Sequence, residues 1–352
     1  MKLKITKVQQ LRLKSLLYIS IFWTLTDYVV LLFREETNSL HPIKSMAVRE
    51  VIIFLLSIIM GYMFVFRLKK ILHNYPLWIN FVLKSCILLF SAILINYIIH
   101  FGTSLLVNHM TPLQAWKEIL HSAFYKNWLL QKIVYWMIIF FITQLFLVIN
   151  EKYSPGVFLD IMIGRYVQPK IEKRIVMFID LKDSTPIAEK LGHQQYFKFI
   201  RDFIYLVSTA IIEFEGRIYQ YVGDEVVASW MFDITNTRKC MEAIIESRKN
   251  IQKRSEQFRT LYGIVPEFRV GIHVGDVTVG EIGVIKKDLA MSGDTMNTTA
   301  RIRSACNELN QKFIVSKQFI ENIDLKDWQS ESLGIVDLKG KGHGIELFTL
   351  KI

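Results

Sequence analysis

The chain has 352 residues, enough for two domains, and 51% of them are hydrophobic, a high fraction for a wholly soluble protein. Its formal net charge is +11, but the excess of Lys and Arg lies in residues 1–150, so residues 151–352 lack the basic field expected of a nucleic-acid-binding protein. The cysteines Cys86, Cys240 and Cys306 are odd in number and form no C-x-x-C pair, which argues against a disulfide framework or a zinc site.

Four apolar stretches in the N-terminal half are each close to the roughly 17–25 residues with which a helix crosses a bilayer. They are residues 16–33, 51–66, 77–99 and 129–149. No small-residue cleavage site follows the first stretch, so it does not have the pattern of a cleaved signal peptide. The sequence therefore predicts that residues 1–150 form an all-α domain of four transmembrane helices in a lipid bilayer.

The distribution of basic residues predicts the orientation of these helices. Lys and Arg cluster before the first stretch and after the second, and such clusters remain on the cytoplasmic side of a membrane. An even number of spans returns the chain to the side on which it started. The N-terminus and the C-terminal half are thus both predicted to be cytoplasmic, in a multi-pass protein of the cell inner (plasma) membrane.

Two ionisable residues, Asp27 and Lys84, fall inside the apolar stretches, where a charge is costly. They could pair with each other. Alternatively, Lys84 extends to the cytoplasmic face while Asp27 hydrogen-bonds within the helical bundle, and this second arrangement is favoured. No residue pattern identifies a signal that this half of the chain senses.

Residues 151–173 are predicted to connect the two halves. This segment has turn residues at both ends and apolar residues at helical spacing, Phe158, Ile161 and Met162, which predict a short amphipathic helix. Two roles remain open for it: a transducer that couples the two halves, or a passive tether.

The C-terminal half, residues 174–352, alternates short apolar runs with longer helical patterns. Strands are predicted at 174–181, 217–222, 225–230, 267–274 and 276–282, and helices at 186–215, 236–262 and 295–309. The pair Gly223-Asp224 between two strands is a tight-turn signal. Hairpins interleaved with long helices predict an α+β domain in which helices cover a sheet.

Asp180 and Asp224 are the candidate metal ligands. Asp180 comes at the end of an apolar strand, and Asp224 lies in the tight turn. Acidic residues in these settings can converge on a pair of divalent cations, and carboxylates suit Mg²⁺ or Mn²⁺. A strand-end aspartate and a turn aspartate on an ordinary surface are the simpler interpretation.

Three segments together carry a family resemblance: Phe-Ile-Asp-Leu-Lys-Asp-Ser-Thr at 178–185, Val-Gly-Asp-Glu-Val-Val-Ala at 222–228 and Gly-Asp-Thr-Met-Asn-Thr-Thr-Ala-Arg at 293–301. They resemble the signature blocks of class III nucleotidyl cyclases, in a region that spans residues 170–350. The resemblance implies a ferredoxin-like domain that converts a nucleoside triphosphate to its 3′,5′-cyclic monophosphate and pyrophosphate. It also implies two Mg²⁺ or Mn²⁺ ions, held by Asp180, Asp224 and the Leu181 carbonyl, at the interface of a homodimer.

The third segment places Asn297 and Arg301 four residues apart, so on a helix both project from one face. By resemblance, Asn297 orients the ribose and Arg301 stabilises negative charge at the α-phosphate in the transition state. The Lys-Gly-Lys-Gly segment at 339–342 resembles the family segment whose lysine reaches the terminal phosphates, and Lys341 is favoured over Lys339. An ordinary helix-surface arginine and a mobile basic turn are the alternatives.

The two positions that read the base in this family depart from its usual pattern. Adenylyl cyclases typically carry Lys with Asp or Thr there, and guanylyl cyclases usually carry Glu with Cys or a small residue; this chain has Gln220 and Ala290, which match neither pair. Gln220 offers both a donor and an acceptor, whereas Ala290 offers no side-chain hydrogen bond. ATP is the expected substrate. A guanylate or pyrimidine nucleotide cyclase and a non-catalytic cyclase-like regulatory module are the alternatives.

Overall fold

The computed structural model divides the chain into two compact units, one containing Gln9–Lys152 and the other containing Tyr153–Ile352. Position 33 of the first predicted span, connector residues 153–156 and position 340 lie outside the residues that the structure describes. The described residues are 6–32, 42–68, 71, 75–106, 108–125, 128–152, 157–285, 288–323, 328–339 and 341–351.

The N-terminal unit is helical wherever its regular secondary structure is described. The helices are α1 Lys7–Leu32, α2 Pro42–Tyr62 with a π-helical continuation Met63–Leu68, α3 Leu77–Leu106, α4 Pro112–Tyr125 and α5 Trp128–Lys152. They cover the four apolar stretches as far as these are described. Helix α4 was not predicted, because the predictions for this half rest on long apolar runs and α4 has none; its apolar residues recur at the spacing of an amphipathic helix.

Two helical segments among the described residues are long and apolar enough to cross a membrane. They are Met46–Leu68 and Trp78–Leu106, and a third apolar segment, Ile133–Ile149, is shorter. This test concerns length and composition, which a buried helix of a soluble protein can also satisfy. Two of the four predicted spans therefore meet the criterion.

Asp27 of α1 is 1% exposed and pairs with Arg49 of α2. Arg49 donates from Nε to one carboxylate oxygen at 2.7 Å and from Nη2 to the other at 2.8 Å. A buried carboxylate needs such a partner because an unpaired buried charge is costly. Asp27 thus hydrogen-bonds within the helical unit, as favoured, and both of its carboxylate oxygens accept from Arg49.

The C-terminal unit is built on one mixed sheet. Its described strands are β1 Lys170–Leu181, β2 Arg217–Val222, β3 Glu225–Met231, β4 Phe268–Ile282, β5 Asp288–Ser292, β6 Phe313–Ser316, β7 Gln329–Val336 and β8 Ile345–Lys351. They pair in the order β2-β3-β1-β4-β6-β8-β7, and β5 also pairs with β4. The pairing of β4 with β6 is parallel and the other pairings are antiparallel.

The helices of this unit confirm the α+β prediction. Two details of the predicted helices and strands are corrected. They are α6 Val157–Met162, α7 Ser184–Glu213, α8 Ile234–Lys253, α9 Ser255–Tyr262, α10 Asp294–Glu308 and α11 Lys317–Ile320. The single helix predicted at 236–262 was wrong, since α8 and α9 meet at Arg254. The break predicted within 267–282 was also wrong, because β1 pairs with β4 without interruption from Phe268 to Val279.

Alternate residues of β1 face two different layers, as the period of a strand requires. Met177 and Ile179 belong to a large buried cluster that includes residues of α7, α8 and α9. Val176 and Phe178 belong to a smaller cluster, against which residues of α10 pack. By this alternation Asp180 lies on the α10 side of the sheet.

Helix α10 approaches β4 closely at Gly271. A Cβ atom at Gly271 would lie 2.8 Å from the backbone Cα of Arg303, so either the helix or the strand would have to move. We expect Gly271→Ala to destabilise the protein by about 1–3 kcal/mol, the usual cost of overpacking. Thermal unfolding of the purified chain checks this against Gly342→Ala, where a new Cβ would meet no heavy atom within 4 Å. Equal unfolding midpoints for the two variants would contradict the close packing.

Ion pairs attach the connector to the sheet. Asp160 of α6 accepts a hydrogen bond from Arg165 at 3.1 Å and another from Arg217 of β2 at 3.0 Å. Tyr166 is 1% exposed and donates to Glu172 of β1 at 3.1 Å. The predicted short helix is therefore present as α6 and is bound to the edge strand β2. Its role as transducer or tether stays a prediction.

Candidate active site

The register of the sheet brings three acidic residues together. In the antiparallel pair of β1 and β3, Ile179 lies opposite Val226, so the next position of each strand sets Asp180 beside Glu225. Asp224 immediately precedes Glu225, in the turn that joins β2 to β3. Strand pairing thus accounts for the convergence expected of the two aspartates, and it adds a glutamate to them.

These carboxylates form a partly buried anionic cluster. Burial raises the pKa of Asp180; the charge of Arg303 opposes this rise and Asp224 adds to it. Burial also raises the pKa of Glu225, again against the effect of Arg303. Oδ2 of Asp224 is buried and has no hydrogen-bond partner in the described part of the chain. A buried carboxylate oxygen that has no hydrogen-bond partner and lies beside other acidic groups is stabilised by a nearby cation.

Arg303 of α10 is the cation that the structure places in this cluster. Its Nη2 lies 2.7 Å from Oε2 of Glu225, and its Nη1 donates to Oδ2 of Asp180 at 3.3 Å. Sequence reasoning missed Arg303 because both partners are distant along the chain. The pairing of β1 with β3 is the signal that could have indicated such a residue. It sets two carboxylates side by side, and a nearby positive charge stabilises them.

The two aspartates fit a divalent cation without completing its coordination. No group of three or more His, Cys, Asp or Glu side chains among the described residues is placed to hold a metal ion. Mg²⁺ is commonly bound by one or two carboxylates, with water and substrate phosphates as its other ligands. Asp180, Asp224 with its unpartnered oxygen, and the Leu181 carbonyl match that donor set.

Asn297 and Arg301 lie on a different side of α10 from Arg303. At about 3.6 residues per turn, Arg301 and Arg303 project about 200° apart, and Arg303 is the one that reaches Asp180. Asn297 is exposed and Arg301 is half-buried. Within the described part of the chain neither side chain has a hydrogen-bond or ion-pair partner. Both are available to a ligand or to a second chain.

Lys341 is bound to the start of α10. Its Nζ lies 2.6 Å from Oδ2 of Asp294, the first residue of that helix, and the contact lowers the pKa of Asp294. Lys339 is exposed. Of the two candidate lysines, Lys341 is therefore the one held against the helix that carries Asn297 and Arg301.

Tyr219 links the two strands that carry the candidate base-reading residues. A bulge in β2 leaves Tyr219 out of the ladder and pairs Gln220 with Val227. The Tyr219 hydroxyl accepts from the N–H of Met291 at 3.0 Å and lies 3.4 Å from its carbonyl oxygen, to which it donates. Gln220 follows Tyr219, and Ala290 precedes Met291 on β5. The two positions thus adjoin one hydrogen-bonded pair.

A known protein family matches the C-terminal unit. The family model described as "Adenylate and Guanylate cyclase catalytic domain" matches residues 166–351, more than half of the chain. The chain therefore belongs to the adenylate and guanylate cyclase family, which confirms the prediction made from the three sequence segments.

Relatives with assigned activities include both kinds of cyclase. Adenylate cyclase 2 of Rhizobium meliloti is 30% identical over 204 residues, which are 57% of this chain and 56% of the relative. The adenylate cyclase of Anabaena cylindrica is 24% identical over 57% of this chain and 42% of its own. The chain thus spans about half the length of these curated relatives. Proteins named guanylate cyclases also match, among them receptor-type guanylate cyclase gcy-10 of Caenorhabditis elegans.

A solved structure agrees with the fold. The structure of a bacterial light-regulated adenylyl cyclase is similar with a TM-score of 0.53 and 19% sequence identity, over 61% of this chain and 64% of that one. The cyclase catalytic fold with a mixed sheet and covering helices is therefore supported by sequence and by structure.

Proposed function

We propose that this protein is a membrane-anchored nucleotidyl cyclase that converts a nucleoside triphosphate, with ATP as the preferred substrate, to its 3′,5′-cyclic monophosphate and pyrophosphate. The observation that carries the proposal is the cluster of Asp180, Asp224 and Glu225, in which a buried aspartate oxygen has no partner among the described residues. Adenylate cyclases among its relatives support the choice of reaction class and of ATP.

The reaction joins two groups of one substrate molecule. The ribose 3′-oxygen attacks the α-phosphorus and pyrophosphate leaves, so the protein must position the nucleotide and balance its charge. Asp180, Asp224 and the Leu181 carbonyl would hold two Mg²⁺ or Mn²⁺ ions. When bound, such ions lower the pKa of the attacking hydroxyl and neutralise charge on the phosphates.

The other site residues act on the nucleotide directly. Asn297 orients the ribose, and Arg301 stabilises the charge that develops at the α-phosphate, a role suited to a permanently charged, planar donor. Lys341 contacts the terminal phosphates. Because its ammonium group is paired with Asp294, the phosphates must compete with that carboxylate for it.

The site is proposed to be shared between the chains of a homodimer. Arg303 faces the aspartates of its own chain, whereas Asn297 and Arg301 project from another side of α10 and have no partner among the described residues. Head-to-tail association of two chains sets the aspartates of one opposite Asn297 and Arg301 of the other. Two composite sites then arise from identical chains.

The membrane anchor is proposed to have four spans, with the N-terminus and the catalytic domain in the cytoplasm. Two segments, Met46–Leu68 and Trp78–Leu106, support it by length and hydropathy. The buried pair of Asp27 with Arg49 supports it as well, since charges inside a membrane domain are found paired.

A product assay tests the proposed function. The purified full-length chain is incubated separately with ATP, GTP, CTP and UTP in the presence of Mn²⁺, and cyclic products are identified by mass spectrometry. We expect cyclic AMP as the main product. A predominance of cyclic GMP or a cyclic pyrimidine nucleotide would assign a different substrate, and the lack of a cyclic product from all four would favour a non-catalytic regulatory module.

The base-reading positions can be tested by introducing the residues that adenylyl cyclases typically carry there. Gln220 presents a donor and an acceptor and Ala290 presents neither, so we expect wild-type selectivity for ATP over GTP to be modest. The double change Gln220→Lys with Ala290→Asp is expected to raise the ratio of kcat/KM for ATP to that for GTP by about tenfold, the effect of one well-placed hydrogen bond. An unchanged ratio would show that neither position contacts the base.

A further inference from the structure

Arg303 joins the metal-binding aspartate to a neighbouring glutamate. Its guanidinium spans Asp180 and Glu225, at 3.3 Å and 2.7 Å. Neither contact belongs to the proposed reaction, in which Arg301 is the arginine that meets the substrate. The Nε atom of Arg303 is buried and has no hydrogen-bond partner among the described residues, so the two carboxylates are what hold the guanidinium in place.

The backbone supports this placement. Gly271 lets α10 approach β4 so closely that a Cβ atom there would lie 2.9 Å from the Cβ of Arg303. Gly271 pairs with Phe178 of β1, two residues before Asp180. The Arg303 side chain therefore starts close above the strand that carries Asp180, and its reach to both carboxylates follows from the packing of the helix.

We infer that Arg303 is a positioning residue that serves as the internal counter-cation of the metal site and weakens divalent-metal binding until nucleotide is present. The inference rests on the proposed function, because it takes Asp180 and Asp224 as metal ligands. Asp180 Oδ2, one of the oxygens offered to a metal, is already paired with Arg303. A divalent ion must share that carboxylate with a fixed positive charge, and the repulsion between the two cations lowers metal affinity.

A nucleoside triphosphate changes this balance. Its phosphates bring negative charge that offsets the repulsion between Arg303 and the metal, so the metal binds more tightly when nucleotide is present. By reciprocity the nucleotide then binds more tightly when metal is present. The site would thus stay poor in metal when no substrate is available.

Manganese binding to the nucleotide-free, full-length chain tests the inference without any activity measurement. MnCl₂ is titrated into the protein, and the electron paramagnetic resonance signal of free Mn²⁺ gives the Kd. We expect Arg303→Gln to lower the Kd by about tenfold or more, because it removes a positive charge close to the ion. Arg303→Lys keeps the charge and should bind Mn²⁺ much as the wild type does.

Changes at Glu225 should have the opposite sign. Glu225→Gln leaves Arg303 with only Asp180 as a charged partner and is expected to raise the Kd, and the double variant Arg303→Gln with Glu225→Gln should return near the wild-type value. The matched control is Arg259→Gln: it makes the same charge change on α9, where Arg259 pairs with exposed Glu256. It should leave the Kd unchanged.

The outcomes separate this inference from the metal assignment. If Asp224→Asn abolishes Mn²⁺ binding but Arg303→Gln leaves the Kd unchanged or raises it, in a protein whose thermal unfolding is intact, the role of Arg303 is overturned and the metal site stands. If no variant binds Mn²⁺, both are overturned. Tighter binding by Arg303→Gln with wild-type binding by Arg303→Lys supports the inference.

Discussion

Replacing either metal aspartate with alanine, as Asp180→Ala or Asp224→Ala, is expected to reduce cyclase turnover by more than about a hundredfold while the domain stays folded. Removing a residue that merely orients a metal ligand costs about 10–100-fold, so loss of the ligand itself should exceed that range. No described side chain replaces it, because Glu225, the nearest carboxylate, is already paired with Arg303. Initial rates of cyclic nucleotide formation with Mg²⁺ and with Mn²⁺ give the measurement.

A neighbouring aspartate provides the matched control for that prediction. Asp183 follows the same strand, and its side chain is 58% exposed. Asp183→Asn removes one charge near the site but should leave turnover close to wild type, whereas the isosteric changes Asp180→Asn and Asp224→Asn should inactivate the enzyme. Activity above about a tenth of wild type in either alanine variant would refute the assignment of these ligands. Glu225→Gln belongs in the same series, to test whether the glutamate substitutes as a ligand.

Mixing two inactive chains is expected to restore activity. An Asp180→Ala chain still supplies Asn297 and Arg301, and an Arg301→Ala chain still supplies both aspartates, so each mixed dimer contains one intact site. With free exchange of subunits, about half of the dimers are mixed, and in each mixed dimer one of the two sites is intact. The mixture should therefore have about a quarter of wild-type activity. Cyclic nucleotide formation by the mixture, compared with each parent, is the measurement.

The control for this complementation is a mixture whose lesions fall on the same side of the site. Asp180→Ala mixed with Asp224→Ala leaves no dimer with an intact pair of aspartates opposite Arg301, and it should remain inactive. Exchange must be shown independently, for example with two affinity tags purified in sequence. If the first mixture stays as inactive as its parents although subunits exchange, the shared site is wrong and each chain must form its site alone.

The sequence predicted the parts of the site that depend on local pattern. Asp180 stands at the end of a run of apolar residues and Asp224 stands in a tight turn, and both features are local enough to be recognised from neighbouring residues. Arg303 could not be found in this way. Its partners Asp180 and Glu225 become neighbours only when β1 pairs with β3, and α10 reaches them only by packing over Gly271.

The errors in the predicted fold also arise from contacts between residues that are distant along the chain. The predicted break between strands 267–274 and 276–282 falls at Gly275, but β4 continues through it. A Cβ atom at Gly275 would come too close to Oγ1 of Thr295, so this glycine reflects the approach of α10 rather than a turn. Strand β6, at four residues, is too short to show a period, and its place beside β4 is set by long-range pairing.

The stoichiometry of products tests the central claim most directly. The full-length wild-type chain is incubated with ATP and Mn²⁺, and the cyclic nucleotide and the inorganic products are quantified over time. Attack by the ribose 3′-oxygen on the α-phosphorus predicts 3′,5′-cyclic AMP and pyrophosphate in equal amounts, and predicts that Asp224→Asn produces neither. Release of orthophosphate and ADP, or of AMP and pyrophosphate without a cyclic product, would show that the site hydrolyses the nucleotide and would contradict the cyclase assignment.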